Sequence, residues 1–246
     1  MMNSQVLCFG ELLIRYQSDS NPFFKEKKAT FNAYAGGSEA NVAVALVKQD
    51  VPVCYLTAIP ENPLSRSLVT ILSGYGIDTS RIICKGVRIG SYFLFSPNGL
   101  TTGDVLYDRK YSSFHQLNRD DILWDEVFDG VDWFHFSALT PAMSAEHAAL
   151  CLQGLKAAQA KGITISVDLN YRSKLWQYGK HPNQVMPALV EYADVIMGNI
   201  WASHTMLDTR LPDGLNRHSS KELLVSVSED CAGEIFRRYK NCQHVS

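Results

Sequence analysis

Three groups of residues in this chain have types and spacing suited to chemistry on a small polar ligand. In the first, Ala35-Gly36-Gly37-Ser38-Glu39-Ala40-Asn41, paired glycines run straight into a helical pattern. Glycine has no Cβ to hold a ligand away from backbone amides, and a helix N-terminus offers N–H donors with a positive partial charge. A polar or anionic group would suit that place, although a plain turn with Ser38 as helix cap would use the same residues. Asn41 favours a ligand, because an amide one turn into a helix of Ala and Val calls for a buried partner or a bound molecule.

The second group is Val167-Asp168-Leu169-Asn170-Tyr171-Arg172, at the end of an alternating run over residues 163–169. Asp168, Asn170 and Arg172 share one parity, so a continuing strand would project them to one side. A guanidinium there can grip a carboxylate or phosphate through two parallel hydrogen bonds. It could equally pair with Asp168 in a loop. The third group, Val105-Leu106-Tyr107-Asp108-Arg109, is expected to face Tyr92 on the opposing arm of a hairpin. Tyr107 and Arg109, two apart, would offer a phenol and a guanidinium to hydroxyls and a carboxylate. Taken alone, this motif reads more simply as an exposed amphipathic hairpin. Thr101-Thr102-Gly103-Asp104 resembles a phosphate loop but sits in the hairpin turn with no helix after it.

Other chemistries have little support. The seven histidines are dispersed without zinc-ligand spacing to cysteine, so no metal site is expected, and His135 within Trp133-Phe134-His135-Phe136 reads as a satisfied strand residue. The first strand is followed by Cys8-Phe9-Gly10-Glu11, with one glycine, which is no dinucleotide fingerprint, and there is no P-loop or nucleophile elbow. A net charge of -2 gives no electrostatic footprint for nucleic acid or an acidic membrane. Six cysteines without CxxC spacing, two of them in apolar runs, argue against a disulfide framework. With no leader pattern and no long apolar span, the expected location is a reducing cytoplasm.

These residues need a scaffold, and 246 residues at 46% hydrophobic suffice for one sizeable core. Short apolar runs at 5–10, 53–58, 132–137, 163–169 and 194–198 read as buried strands, alternating with helical patterns at 38–48 and 144–161. The second helix has Ser144 as its N-cap and stops at Lys161-Gly162. That alternation predicts an α/β fold with a mainly parallel sheet between helices, whose site lies at the carboxyl ends of the strands. The expectation is a single domain over residues 1–246. Two segments, about 12–34 and 88–114, break the pattern and read as an inserted antiparallel flap, with a turn at Ser96-Pro97-Asn98-Gly99.

In combination, Phe9-Gly10-Glu11, the Gly36-Gly37-Ser38-Glu39-Ala40-Asn41 helix start, Tyr107-Asp108-Arg109, and Asp168-Leu169-Asn170-Tyr171-Arg172 followed by Leu175-Trp176 resemble the ribokinase-like (PfkB) carbohydrate kinases. The similarity is greatest to the 2-keto-3-deoxygluconate kinases. The resemblance implies a three-layer α/β/α fold with a small β-sheet lid, dimerising through the lid in many members. It also implies ATP-dependent phosphoryl transfer to a sugar acid with Mg2+. By the same resemblance Gly36 and Gly37 contact sugar hydroxyls and Asn41 takes a substrate position. Tyr92, Tyr107, Arg109 and Arg172 grip the substrate, the arginines at its carboxylate.

Two departures accompany these matches. A Gly-Ala-Gly-Asp segment, which in the family supplies the anion hole and the catalytic base, is absent from the 246 positions. The expectation is therefore a C-terminally shortened kinase, inactive alone, whose base and most of whose nucleotide site lie past Ser246. Of the family's Asn-Glu-x-Glu element only Asn199 remains, in Gly198-Asn199-Ile200-Trp201, as a single cofactor-binding candidate. The alternatives are a non-catalytic sugar-acid-binding remnant and a kinase for a neutral sugar such as fructose or ribose.

Overall fold

The computed structural model describes residues 5–18, 29–95 and 104–246. In chain order its elements are β1 (Gln5–Phe9), β2 (Leu13–Ser18), β3 (Asn32–Gly36), α1 (Ser38–Val47), β4 (Val53–Leu56), β5 (Ala58–Ile59), α2 (Pro63–Gly74), β6 (Ile83–Cys84), β7 (Gly90–Phe95), β8 (Asp104–Asp108), α3 (Trp124–Val127), β9 (Val131–Ser137), α4 (Ala145–Ala160), β10 (Thr164–Asp168), α5 (Met186–Val190), β11 (Val195–Met197), α6 (Ile200–Leu207), α7 (Lys221–Arg238) and β12 (His244–Val245). All five apolar runs expected as strands are strands, with residues 53–58 divided between β4 and β5.

The chain's contacts group into two compact units, residues 1–7 with 118–246, and residues 8–117. The strands of the expected insert group with β4, β5, β6, α1 and α2. In the first unit the sheet order is β12-β11-β10-β9-β1, and β9, β10, β11 and β12 pair in parallel. Parallel neighbours need crossovers, and α4 and α5 supply two of them. Ser144 caps α4 by accepting from the His147 N–H at 3.2 Å, as the sequence requires. Gly154 on that helix lies so close to Trp124 that a Cβ there would fall 2.6 Å from the indole. Trp124, Phe128, Phe134 and Phe136 form a continuous aromatic core, with Leu150, Leu155, Ile165 and Val167 buried as well.

His135 is the satisfied strand residue that its apolar setting predicts. Its Nδ1 lies 2.9 Å from Ser166 Oγ, which also accepts from Trp133 Nε1 at 2.7 Å. Burial pushes its pKa down to about 4.

In the second unit the end of β1 adjoins β4, and β3-β2-β7-β8 form a separate four-stranded sheet. This sheet corrects the expected antiparallel flap. β2–β3 and β7–β8 are antiparallel, but β2 and β7 at its centre run parallel, with Leu13 opposite Gly90 and Arg15 opposite Tyr92. The reason is connectivity: between β2 and β7 the chain passes through β3, α1, β4, β5, α2 and β6, so it returns in the same direction as a crossover does. The turn at residues 96–99 and the Thr101-Thr102-Gly103 run lie outside the described residues. Phe9, Leu12, Tyr55, Leu56, Phe114 and Leu117 are buried in this unit's core.

Candidate functional site

The mixed sheet places four side chains in one cross-strand row. Arg15 on β2 pairs with Tyr34 on β3 and with Tyr92 on β7, and Tyr92 pairs with Tyr107 on β8. Residues in register on neighbouring strands share a face, so Tyr34, Arg15, Tyr92 and Tyr107 form a rail across all four strands. The guanidinium carbon of Arg15 sits 4.4 Å from the Tyr34 ring centre, and the Tyr92 and Tyr107 rings are 6.2 Å apart. Burial raises the Tyr92 phenol above its ordinary range, while the charge of Arg15 and a hydrogen bond from it act in the opposite sense. Gly36, opposite Leu13, lies two residues along from Tyr34 on the same face. Tyr16, Phe93 and Phe31 cluster on the other face, with Leu106 opposite Phe93 and exposed.

Tyr92, Tyr107 and Gly36 are thus brought together as the sequence suggested, and Arg15 and Tyr34 join them unannounced. Their signal was in the chain, since Arg15 shares its parity with Leu13 and Gln17 and alternates with Ile14 and Tyr16. Only the parallel pairing with β7 tells which tyrosine it faces.

Arg109 has a different setting from the one expected. β8 ends at Asp108, so Arg109 is not a strand residue alternating with Tyr107. It turns inward, is buried, and forms an ion pair from its Nε to Glu11. The other Glu11 oxygen accepts from Ser112 Oγ at 2.5 Å. Ser112 N–H in turn bonds the Arg109 carbonyl at 3.1 Å, across a turn in which Tyr111 has φ +61°. Glu11 lies over Gly90, where a Cβ would come within 2.2 Å of its carboxylate. The sequence showed Glu11 only as part of a motif. An acid between apolar Leu7-Cys8-Phe9 and Leu12-Leu13-Ile14 was the available sign that it needed a buried cation.

Gly37 stands at the start of α1 with φ +140°, and a Cβ there would lie 2.6 Å from the Glu11 carbonyl oxygen. Only glycine fits. It provides no side-chain cap, so Ser38 is the first helical residue and not the cap considered from the sequence. Gly36 and Gly37 are both buried, whereas Asn41 is exposed one turn into α1. The burial argument for Asn41 therefore does not apply, and its amide is open to contact.

In the first unit, the carboxyl ends of β9, β10 and β11 bring Ser137 opposite Asp168 and Asp168 opposite Met197. The strand stops at Asp168, so the shared parity of Asp168, Asn170 and Arg172 does not carry through. Asn170 N–H instead bonds back to Asp168 Oδ1 at 3.0 Å, an Asx turn. Arg172 is exposed and donates from Nη1 to the Tyr171 carbonyl at 3.3 Å. Burial raises the Asp168 pKa; the Asn170 N–H and the charge of Arg172 oppose this. Asn199 caps α6, accepting from the Ala202 N–H at 2.9 Å. Gly198 before it packs on Leu169, where a Cβ would sit 2.9 Å from the Leu169 Cβ. Among the described residues no cluster of His, Cys, Asp and Glu could hold a metal ion.

Comparison with known proteins gives these features a context. The profile described as pfkB family carbohydrate kinase matches residues 3–207. A 2-dehydro-3-deoxygluconokinase structure from Thermotoga maritima superposes with a TM-score of 0.85 at 32% identity, covering 98% of this chain and 71% of that one. A PfkB family carbohydrate kinase from Listeria grayi gives 0.79 at 27% identity, covering 97% and 69%. A 2-dehydro-3-deoxygalactonokinase of Haloferax volcanii is 30% identical over 175 residues, which are 71% of this chain and 54% of the relative. The chain spans about half the length of the curated relatives it matches.

Proposed function

Because the chain belongs to the pfkB family of carbohydrate kinases and has their ribokinase-like α/β fold, we propose that its protein transfers a phosphoryl group from ATP to a hydroxyl of a 2-keto-3-deoxy sugar acid, with 2-keto-3-deoxygluconate as the leading substrate. The observation that carries this reading is the mixed sheet, which sets phenols and a guanidinium along one face. Phenols suit the hydroxyls of a sugar, and a guanidinium suits a carboxylate that a neutral sugar lacks. Arg172, exposed after β10, is proposed as a second cation for the same class of ligand. Gly36, Gly37 and Asn41 are proposed to meet its hydroxyls.

ATP and Mg2+ are proposed as phosphoryl donor and counter-ion for the whole protein. The described residues present no metal-binding cluster, and the Asn199 side chain is engaged in capping α6. A second copy of the chain is the proposed protein partner, docking on the apolar face of the mixed sheet around Leu106.

The test is product analysis by mass spectrometry after incubation with ATP, magnesium and, separately, 2-keto-3-deoxygluconate, fructose and ribose. Phosphorylation of the sugar acid in preference to the others supports the reading. Preferential phosphorylation of fructose or ribose would sink it. Binding of the sugar acid without any product would favour a sugar-acid-binding protein over a kinase.

A further inference from the structure

Arg15 and Arg109, both in the second unit, differ in how their charge is engaged. Arg109 is buried, and its Nε is ion-paired with Glu11, so the pair is close to neutral as a unit. Drawing Arg109 away would leave Glu11 buried without a counter-ion. Arg15 has no carboxylate partner among the described residues. One face of its guanidinium stacks on Tyr34, and it hydrogen-bonds Tyr92. Its Nε is buried with no hydrogen-bond partner. A guanidinium carries five N–H donors in a rigid fork, and a buried donor without an acceptor is costly. The unmet donor, and a charge with no carboxylate partner among the described residues, are both answered by one group, a carboxylate taking two parallel hydrogen bonds.

We infer that Arg15, held between Tyr34 and Tyr92 on the mixed sheet, is a specificity-determining residue that receives the carboxylate of the sugar acid. The inference rests on the sugar-acid reading above and refines it. Tyr34 sets the plane of the guanidinium, while Tyr92 and Tyr107 continue the same row toward the hydroxyl-bearing part of the ligand.

The experiment is calorimetric titration of the wild type, Arg15→Gln and Arg15→Lys with two ligands. These are 2-keto-3-deoxygluconate and its neutral analogue in which CH2OH replaces the carboxylate. Losing a charge-assisted pair should weaken acid binding by Arg15→Gln by about tenfold to a hundredfold, with the analogue changed by less than about threefold. Arg15→Lys should recover part of the acid affinity, since it keeps the charge and loses the fork. Equal weakening for both ligands, or none for the acid, would overturn the assignment. Should the wild type itself bind acid and analogue alike, the sugar-acid reading fails and the inference goes with it. Tyr34→Ala guards against a folding defect in the arginine variants: it leaves Arg15 in place without its stacking surface, and should weaken the acid selectively. If it leaves acid binding at wild-type strength, the positioning part of the inference is wrong.

Discussion

At the scale of single residues, Glu11 and Arg109 dominate the second unit's polar core. Both are buried, and each is the other's counter-charge, with Ser112 satisfying the second carboxylate oxygen. Removing one partner leaves a buried charge uncompensated, a loss of about 3–5 kcal/mol. Glu11→Ala should therefore lower the urea unfolding midpoint sharply. Glu11→Gln combined with Arg109→Gln should cost less than the sum of the two single changes. Strict additivity in that cycle would mean that the pair is not coupled. Gly90→Ala tests the same place sterically, because its Cβ would fall 2.2 Å from the Glu11 carboxylate. The buried carboxylate has little room to move, so about 1–3 kcal/mol of stability should be lost in thermal or urea unfolding. An unchanged midpoint would contradict the packing.

His135 provides a pH-dependent test at the same scale. Burial holds it at about 4 against an ordinary 6.5, so between those values the unfolded chain binds a proton that the folded chain does not. Above pH 6.5 the site costs nothing. Stability falls as the pH drops from 6.5 toward 4 and levels off below that. Urea midpoints measured at pH 7 and pH 4.5 should therefore drop further for the wild type than for His135→Gln. Equal slopes would show that His135 titrates normally.

At the scale of elements, helix ends and strand partners were unequally legible. The N-cap of α4 could be read from Ser144 alone, because capping is a local matter of one side chain and a nearby N–H. The short apolar runs revealed β1, β4, β9, β10 and β11 for the same reason: burial on both faces leaves a mark on the strand itself. Pairing leaves no such mark. Nothing in residues 13–18 indicates that their neighbour is residues 90–95 in parallel, and with that pairing unknown the row through Arg15 could not be seen. Arg109 was misplaced for a related reason, since the parity argument assumed that β8 runs past Asp108. Asn199 looked like a remnant of a cofactor motif, and its local role is a cap. Asn199→Ala should cost about 1 kcal/mol in unfolding experiments and Asn199→Asp almost nothing. A full loss with Asp would indicate a role other than capping.

At the scale of the molecule, the fold class and family were readable because several short motifs occur in family order along one chain. The family match over residues 3–207 and the Thermotoga maritima superposition agree with that reading. The site was legible in part. Tyr92 and Tyr107 do face each other, and Arg15, which no motif named, stands in the same row. No described helix is long and apolar enough to cross a membrane. If a second copy docks on the apolar face of the mixed sheet, Leu106→Glu should shift light-scattering mass from dimer toward monomer. A wild type that is monomeric at high micromolar concentration would exclude that partner.

The proposed preference for an acidic sugar is tested most directly by calorimetric titration at pH 7 with 2-keto-3-deoxygluconate and, in parallel, fructose. The account predicts saturable binding of the acid, at least about tenfold tighter than fructose, the worth of one charge-assisted carboxylate contact. Fructose binding as tightly as the acid, or more tightly, would contradict it.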